Sequence, residues 1–295
     1  MKDIKVIALL PFKNEEWCLK SYLSSVKPVC DEIIAIDDGS TDNSKQIMLD
    51  AGATVYDNSE RDVSAWAEHH IRQRLLQLGR EAGGTHFVCL DADETFTANL
   101  IPKLRKAMGA LEPGHKVRLH WLAMWKGLHH YREDQSPWSR SMKDFIFRDD
   151  GKMEYPYAWL HVGRTPGENT EDNYIKVPEG KGGVFHWQFS DWERFQMKQS
   201  WLRCSELIKY PDNVQSINEK YRITLDPPRG DALVKAAPQS WYENIELPSV
   251  NDASDENRLW RLHEMLEWFE EYGLDYFAEL DIGHMQPLIN RYIKK

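Results

Sequence analysis

The chain has 295 residues, 41% hydrophobic and 28% charged, which suits one large folded domain with an appendage or two small ones and excludes a disordered chain. A formal charge of −10 and a pI near 5.6 set the chain against nucleic acid and anionic membrane as primary partners, because like charges repel. No stretch approaches the ~20 apolar residues of a spanning helix. The opening MKDIKVIALLPFKNEE turns to charge too soon for a signal peptide, so no transmembrane segment and a cytoplasmic location are expected.

The first half alternates short apolar runs with helical patterns. KVIALLP at 5–11 reads as a buried strand, and Asn14 as the cap of a helix with Glu15 and Glu16 in its first turn, closed by Pro28. EIIAID at 32–37 is a second strand, followed by the turn cluster DGSTDNS. A helix over 44–51 stops at Gly52, TVY at 54–56 is a third strand, and 63–81 is a longer helix. HFVCLD at 86–91 is a fourth strand, and 99–111 a helix ended by Pro113 and Gly114. Strands that alternate with helices in this way form βαβ units and a parallel sheet.

Beyond residue 116 the pattern changes. VRLHWLAMW, DFIFRD and GGVFHWQF read as strands, 154–183 as mostly loop, and 191–210 as a helix ended by Pro211. The proline-rich 226–250 reads as irregular, and 255–272 as a last helix stopped by Gly273. The expected division is a first domain over 1–210 and an irregular, helical extension over 211–295. Cys18, Cys30, Cys89 and Cys204 have no CxxC spacing, which predicts reduced thiols without a disulfide or a zinc site.

Two acidic clusters fall where ligands bind in open parallel sheets, beyond the carboxyl ends of strands. Asp37-Asp38-Gly39-Ser40-Thr41-Asp42 closes the second strand and offers carboxylates to a ribose or a base. Asp91-Ala92-Asp93-Glu94 closes the fourth, and strand alternation places Asp91 and Asp93 on one side, suited to a hard divalent cation. The two motifs together, one on each of two strands of the same sheet, are far more specific than either alone.

Pro11-Phe12-Lys13-Asn14-Glu15, then Asp37 to Asp42, then Asp91 to Glu94 resemble, in order and spacing, the family 2 glycosyltransferases of GT-A fold. The resemblance covers roughly 4–200 and is strongest up to Glu94. It implies a Rossmann-related, mostly parallel sheet flanked by helices, with the C-terminal extension as a helical appendage. It also implies an enzyme that moves a sugar from a UDP-, GDP- or dTDP-sugar, with inversion, onto a hydroxyl of a glycan or lipid-linked acceptor. A lipid acceptor would require peripheral contact with a membrane.

In the resemblance, Pro11, Phe12, Asn14, Glu15, Asp38 and Gly39 hold the nucleotide, and Arg72 or Arg74 faces the donor. Asp91 and Asp93 hold Mn2+ or Mg2+ against the diphosphate, with His186 as a third ligand from a later strand. Many relatives carry a His-Glu pair after the strand matched by FIFRDDG. Here Leu160-His161-Val162 lacks the glutamate, which leaves Glu171 and Asp172, ahead of Glu154 and Glu168, as candidates for the base. Tryptophans at 121, 125, 138, 159, 187 and 192 fall in the acceptor half, where most are expected to pack in the core and one or two to line the cleft.

Two other enzymes fit parts of the pattern. Asp91 to Thr95 spells DxDxT, the nucleophile motif of haloacid dehalogenase-type phosphatases, although there it closes the first strand. A sugar-nucleotide nucleotidyltransferase shares the fold class, but its glycine-rich triphosphate loop is missing from Pro11 to Glu16.

Overall fold

The computed structural model describes residues 4–58, 68–134, 139, 141–167, 172–222, 234–250, 256–286 and 290. The chain divides into two compact units, Met1–Trp187 with Val234–Ser249, and Gln188–Leu233 with Val250–Lys295. The cut falls earlier than the expected boundary at 210, and a later segment returns to the first unit.

In the first unit, Val6–Phe12 (β1), Glu32–Asp37 (β2), Thr54–Asp57 (β3) and His86–Val88 (β4) lie parallel in the order β3-β2-β1-β4. The nearly unbroken apolar runs of β1 and β2 are what a strand covered on both faces requires. Glu16–Val26 (α1), Ser44–Asp50 (α2) and Glu68–Glu81 (α3) form the connections. Ile71, Leu75 and Leu76 of α3 pack on Ile7, Leu9, Ile34, Ile36 and Phe87. The helix expected over 63–81 is seen from Glu68; its first turn lies outside the described residues.

The chain continues through Glu94–Phe96 (β5), Ile101–Gly109 (α4), Lys116–Ala123 (β6), His130–Arg132 (β7), Met142–Arg148 (β8), Tyr174–Lys176 (β9) and Gly183–His186 (β10), all but α4 and β7 joining the same sheet. Its order runs β3-β2-β1-β4-β8-β6-β10-β5, with β9 also beside β6. Only β8 and β5 run against the others, so the sheet is mostly parallel and flanked by helices, the expected class. Val234–Ala236 (β11) pairs with β7 in a small second sheet.

This topology decides which residues can meet. The carboxyl ends of β1, β2, β4, β6 and β10 share one edge with the amino ends of β8 and β5. β9 starts beside Lys116, at the opposite edge.

Two local expectations are corrected. The strand expected to reach Asp91 ends at Val88, although the Cys89 N–H still donates to Phe145 O at 2.8 Å. The chain then turns, with Glu94 N–H donating to Asp91 O at 3.0 Å, and leaves as β5 to pair with β10. Asp91 and Asp93 are therefore brought close by a turn rather than by strand alternation. Asn14 does not cap α1: Glu15 holds that position without a side-chain hydrogen bond, and Asn14 has φ +53°. α1 itself ends at Val26 as expected, with Lys27 as its C-cap directly before Pro28.

The second unit is helical among its described residues, with Trp192–Lys209 (α5), Val214–Lys220 (α6) and Trp260–Tyr272 (α7). Asp191 caps α5 by accepting from Arg194 N–H at 3.0 Å. Trp201 of α5 lies against Trp260 and Trp268 and donates its indole N–H to Glu264 at 2.8 Å. Gly273, at φ +84°, ends α7.

Candidate functional site

The first two loops at the shared edge are laced together. Asn14 Oδ1 accepts from Thr41 N–H at 2.7 Å, and Asn14 N–H donates to Ser40 Oγ at 3.0 Å. Glu15 N–H donates to Ser44 Oγ at 2.8 Å. Asp37 is buried and its Oδ1 accepts from Ser40 N–H at 2.8 Å, so it shapes the turn. Gly39, at φ +79°, supplies the left-handed residue that this turn needs. Asp38 stays half-buried at the rim, with one oxygen on Asn58 Nδ2 at 2.6 Å. Of the two aspartates, Asp38 is the one placed to meet a ligand.

The turn from Asp91 to Glu94 is the centre of an ion network. Asp91 Oδ1 accepts from Arg72 Nη2 at 2.9 Å, and its Oδ2 lies 2.5 Å from Arg164 Nη2. Arg72 also donates to Glu68 Oε1 through Nε at 2.8 Å and Nη2 at 2.6 Å. Arg164 continues to Glu94, with Nε to Oε2 at 3.1 Å and Nη2 to Oε1 at 2.8 Å. Glu94, fully buried, also accepts the Asp91 backbone N–H and the Trp121 indole N–H, both at 2.7 Å. Burial alone would raise the Asp91 carboxyl, but Arg164 and Arg72 outweigh it and hold the group below the usual carboxylate range.

Beside this turn a row of side chains crosses the sheet. Glu94 is directly opposite His186, and Val184 opposite Trp121, which makes His186 and Trp121 diagonal neighbours on one face. Their rings stack at 4.0 Å with 20° between planes. Leu119 is opposite Lys143, so Trp121 and Lys143 are diagonal in turn, and the Lys143 Nζ sits 3.5 Å from the centre of the indole ring. Asp93 is buried, with Oδ2 3.7 Å from His186 Nε2.

Residues 8–117, which supply both loops, match the sequence profile of glycosyl transferase family 2. That stretch is similar to the family 2 glycosyl transferases. The undecaprenyl-phosphate 4-deoxy-4-formamido-L-arabinose transferase of Aeromonas hydrophila is 34% identical to this chain over 113 residues, covering 36% of this chain and 34% of that protein. The chain thus matches about a third of the length of this curated relative, by the 34% it covers. Among solved structures, glucosyl-3-phosphoglycerate synthase of Mycobacterium tuberculosis with Mn2+ and UDP-glucose is 22% identical, with 41% of this chain and 44% of that one covered and a TM-score of 0.31. Its complex with Mg2+ and UDP gives the same four values, 22%, 41%, 44% and 0.31.

Within the matched segment lie Pro11, Phe12, Asn14, Glu15, Asp38, Gly39, Arg72, Asp91 and Asp93, and the fold brings the two motif loops to one edge. Arg72 of the two candidate arginines reaches that edge, held by Asp91. His186 comes from outside the segment and is brought to Asp93. Of the base candidates, Asp172 is exposed two residues before β9, whose pairing with Lys116 places it at the far edge, Glu154 is exposed, and Glu171 and Glu168 lie outside the described residues.

For a divalent cation, the described residues contain no group of three or more His, Cys, Asp or Glu arranged as a cage. Asp93 and His186 nevertheless present an oxygen and a nitrogen within 3.7 Å of each other. Mg2+ and Mn2+ commonly take one or two protein ligands and complete their shell with water and phosphate, so this pair fits such an ion better than Asp91, which is engaged by two arginines.

Arg164 and Lys143 are the functional-edge residues that the sequence reading missed. Arg164 lies in a loop without periodicity and gives no local signal. Lys143 is no better marked, because Asp144 to Phe147 are all buried and a register shift beside Val117 and Arg118 breaks the strand's alternation. Among the tryptophans, Trp121, Trp125 and Trp187 are buried as packing residues, with both faces of Trp121 covered. Trp159 and Trp192 are half-buried, and Trp138 lies outside the described residues.

Proposed function

We propose that this protein transfers a glycosyl group from a nucleoside diphosphate sugar to an acceptor, with Asn14, Asp38 and the adjoining backbone receiving the nucleotide and the Asp91–Glu94 turn receiving the diphosphate end. The observation that supports this reading best is the meeting of both acidic loops at one sheet edge inside the matched segment. Asp93 and His186 are the residues proposed to hold Mn2+ or Mg2+. Such an ion supplies neutralising charge to a diphosphate leaving group. Direct attack by the acceptor on the anomeric carbon inverts it.

The acceptor proposed is a glycan or lipid-linked sugar, and the relative's name, an undecaprenyl-phosphate transferase, favours the lipid-linked class. Among the described residues no helix is long and apolar enough to cross a membrane. The phosphatase reading of DxDxT needs a free Asp91 carboxylate as nucleophile. Here both of its oxygens are taken by arginines, and the motif follows the fourth strand rather than the first.

The test is a melting-temperature panel with UDP, GDP, dTDP, CDP and ADP, each with and without Mn2+. A ligand that binds only the folded state raises the midpoint by mass action, by about 2.7 kcal/mol of stability at a hundredfold excess over Kd. One nucleotide should give a metal-dependent rise that Asp93→Ala abolishes. No rise with any nucleotide would falsify the donor site.

A further inference from the structure

We propose that the Lys143 ammonium, held on the Trp121 ring beside the Asp91–Glu94 turn, is a protein contact for the diphosphate of the nucleotide sugar. That the anion belongs to a nucleotide rests on the glycosyl transfer reading; that an anion binds there does not.

The first argument is charge balance. Both arginines at the turn already meet carboxylates: Arg72 meets Glu68 and Asp91, and Arg164 meets Asp91 and Glu94. Their charge is neutralised within the protein. Lys143 has no carboxylate within ion-pair distance among the described residues and rests on the indole face, 3.5 Å from the ring centre. It is half-buried there, so it has lost part of its water without gaining an anion, and an incoming phosphate oxygen supplies that partner. Burial, reinforced by the nearby Arg164, brings the ammonium down to about 8, as expected of a charge that its surroundings solvate poorly.

The second argument is rigidity. Lys143 stands on a strand, paired opposite Leu119, and rests on an indole whose other face is closed by His186 and whose N–H is bound by Glu94. A lysine held in this way has lost most of its rotamer freedom before a ligand arrives, which favours binding.

The third argument is position. The nucleotide loops follow β1 and β2, and the proposed cation pair joins Asp93 to His186 of β10. In the strand order β1-β4-β8-β6-β10, Lys143 of β8 stands at the middle, with two strand spacings, roughly 10 Å, on either side. It is the second residue of β8, which runs against β4, so it lies at the functional edge. Counting on from Val88 opposite Ile146 brings Asp91 level with Lys143. The charges that act on Lys143 agree, being those of Arg164, Glu94, Asp91 and Arg72. A diphosphate that leaves the nucleotide loops and ends on a cation at Asp93 and His186 therefore crosses the position of Lys143. The Trp121 indole divides the two contacts, with His186 stacked on one face and Lys143 on the other. A lysine suits this place as a compact charge with three rotatable donors.

The experiment compares wild type, Lys143→Met and Lys143→Arg by melting temperature. One arm titrates uridine and UDP, guanosine and GDP, and thymidine and dTDP, each with Mn2+; the other titrates inorganic pyrophosphate with Mg2+. Wild type should prefer one nucleoside diphosphate to its own nucleoside. Lys143→Met should weaken apparent affinity for that diphosphate and for pyrophosphate about tenfold or more and leave nucleoside affinity unchanged, while Lys143→Arg stays within about threefold, the scale of a charge-assisted contact. Midpoints without ligand report whether the variants fold, and Lys143→Gln takes the place of Lys143→Met if the latter does not. Unchanged diphosphate and pyrophosphate affinities in Lys143→Met overturn the contact. An equal loss for nucleoside and diphosphate overturns it too, because a missing phosphate contact spares the nucleoside. If wild type binds no nucleotide, the transferase reading falls and the pyrophosphate arm decides alone: a Lys143-dependent response sustains the anion site, and its absence overturns that site as well.

Discussion

Glu94 shows how a functional edge can depend on a residue that no ligand touches. Its carboxylate is fully buried and joins Arg164, the Trp121 indole and the Asp91 backbone. Removing one member of a buried charged network leaves the others without compensation, at a cost of about 3–5 kcal/mol. Glu94→Ala should lower unfolding free energy by that amount in a urea titration, and Glu94→Gln, which keeps acceptor and donor atoms, by clearly less. An equal, small loss in both would mean that the network contributes little. At this scale the sequence revealed the acids but not the purpose of each. Four residues of DADE look alike in a string, yet Asp91 answers two arginines, Asp93 turns to His186 and Glu94 points inward. That sorting is made by Arg72, 19 residues upstream of Asp91, and by Arg164, 70 residues beyond Glu94, and no local pattern carries it.

Strands are where legibility was best and where it stopped abruptly. β1 and β2 are apolar runs bounded by turn residues, and periodicity alone finds them. β5 is Glu-Thr-Phe and β9 is Tyr-Ile-Lys, three residues each, and only a partner strand makes them strands. The register of β10 is similarly hidden in Gly183. A Cβ at that position would lie 2.2 Å from His120 O, a backbone atom on the neighbouring β6 that cannot move aside. Gly183→Ala should therefore force β10 away from β6 and shift His186 from Asp93. The expected result is a lower melting temperature together with loss of the Mn2+-dependent nucleotide response. Retention of that response at full strength would show that His186 is not needed where the structure puts it.

For the molecule as a whole, the two compact units are not consecutive along the chain. Residues 234–249 belong with the first unit, where β11 pairs with β7, Trp241 O accepts from Ala98 N–H at 2.8 Å, and Ser249 N–H donates to Trp17 O at 2.8 Å. Trp241 is buried near Tyr131 and Phe185. Composition marked 226–250 only as proline-rich and irregular, because a segment that docks through backbone hydrogen bonds and one tryptophan has no period to read. A chain ended at residue 187 should consequently expose apolar surface and unfold at lower urea than the full chain, detected by dye binding and by a reduced midpoint. An unchanged midpoint would show that the returning segment contributes nothing to the first unit.

That return also has a consequence in time. On the ribosome the first 187 residues emerge before the segment that completes their unit, which is delayed by roughly 60 residues, or ~3–12 s at ordinary synthesis rates. During that interval the surface awaiting Trp241 is open, so the nascent chain passes through a stage in which its sheet is largely made but not yet closed. Codon choice and chaperone supply over that window would then influence the yield of folded protein as directly as any substitution in the sheet itself.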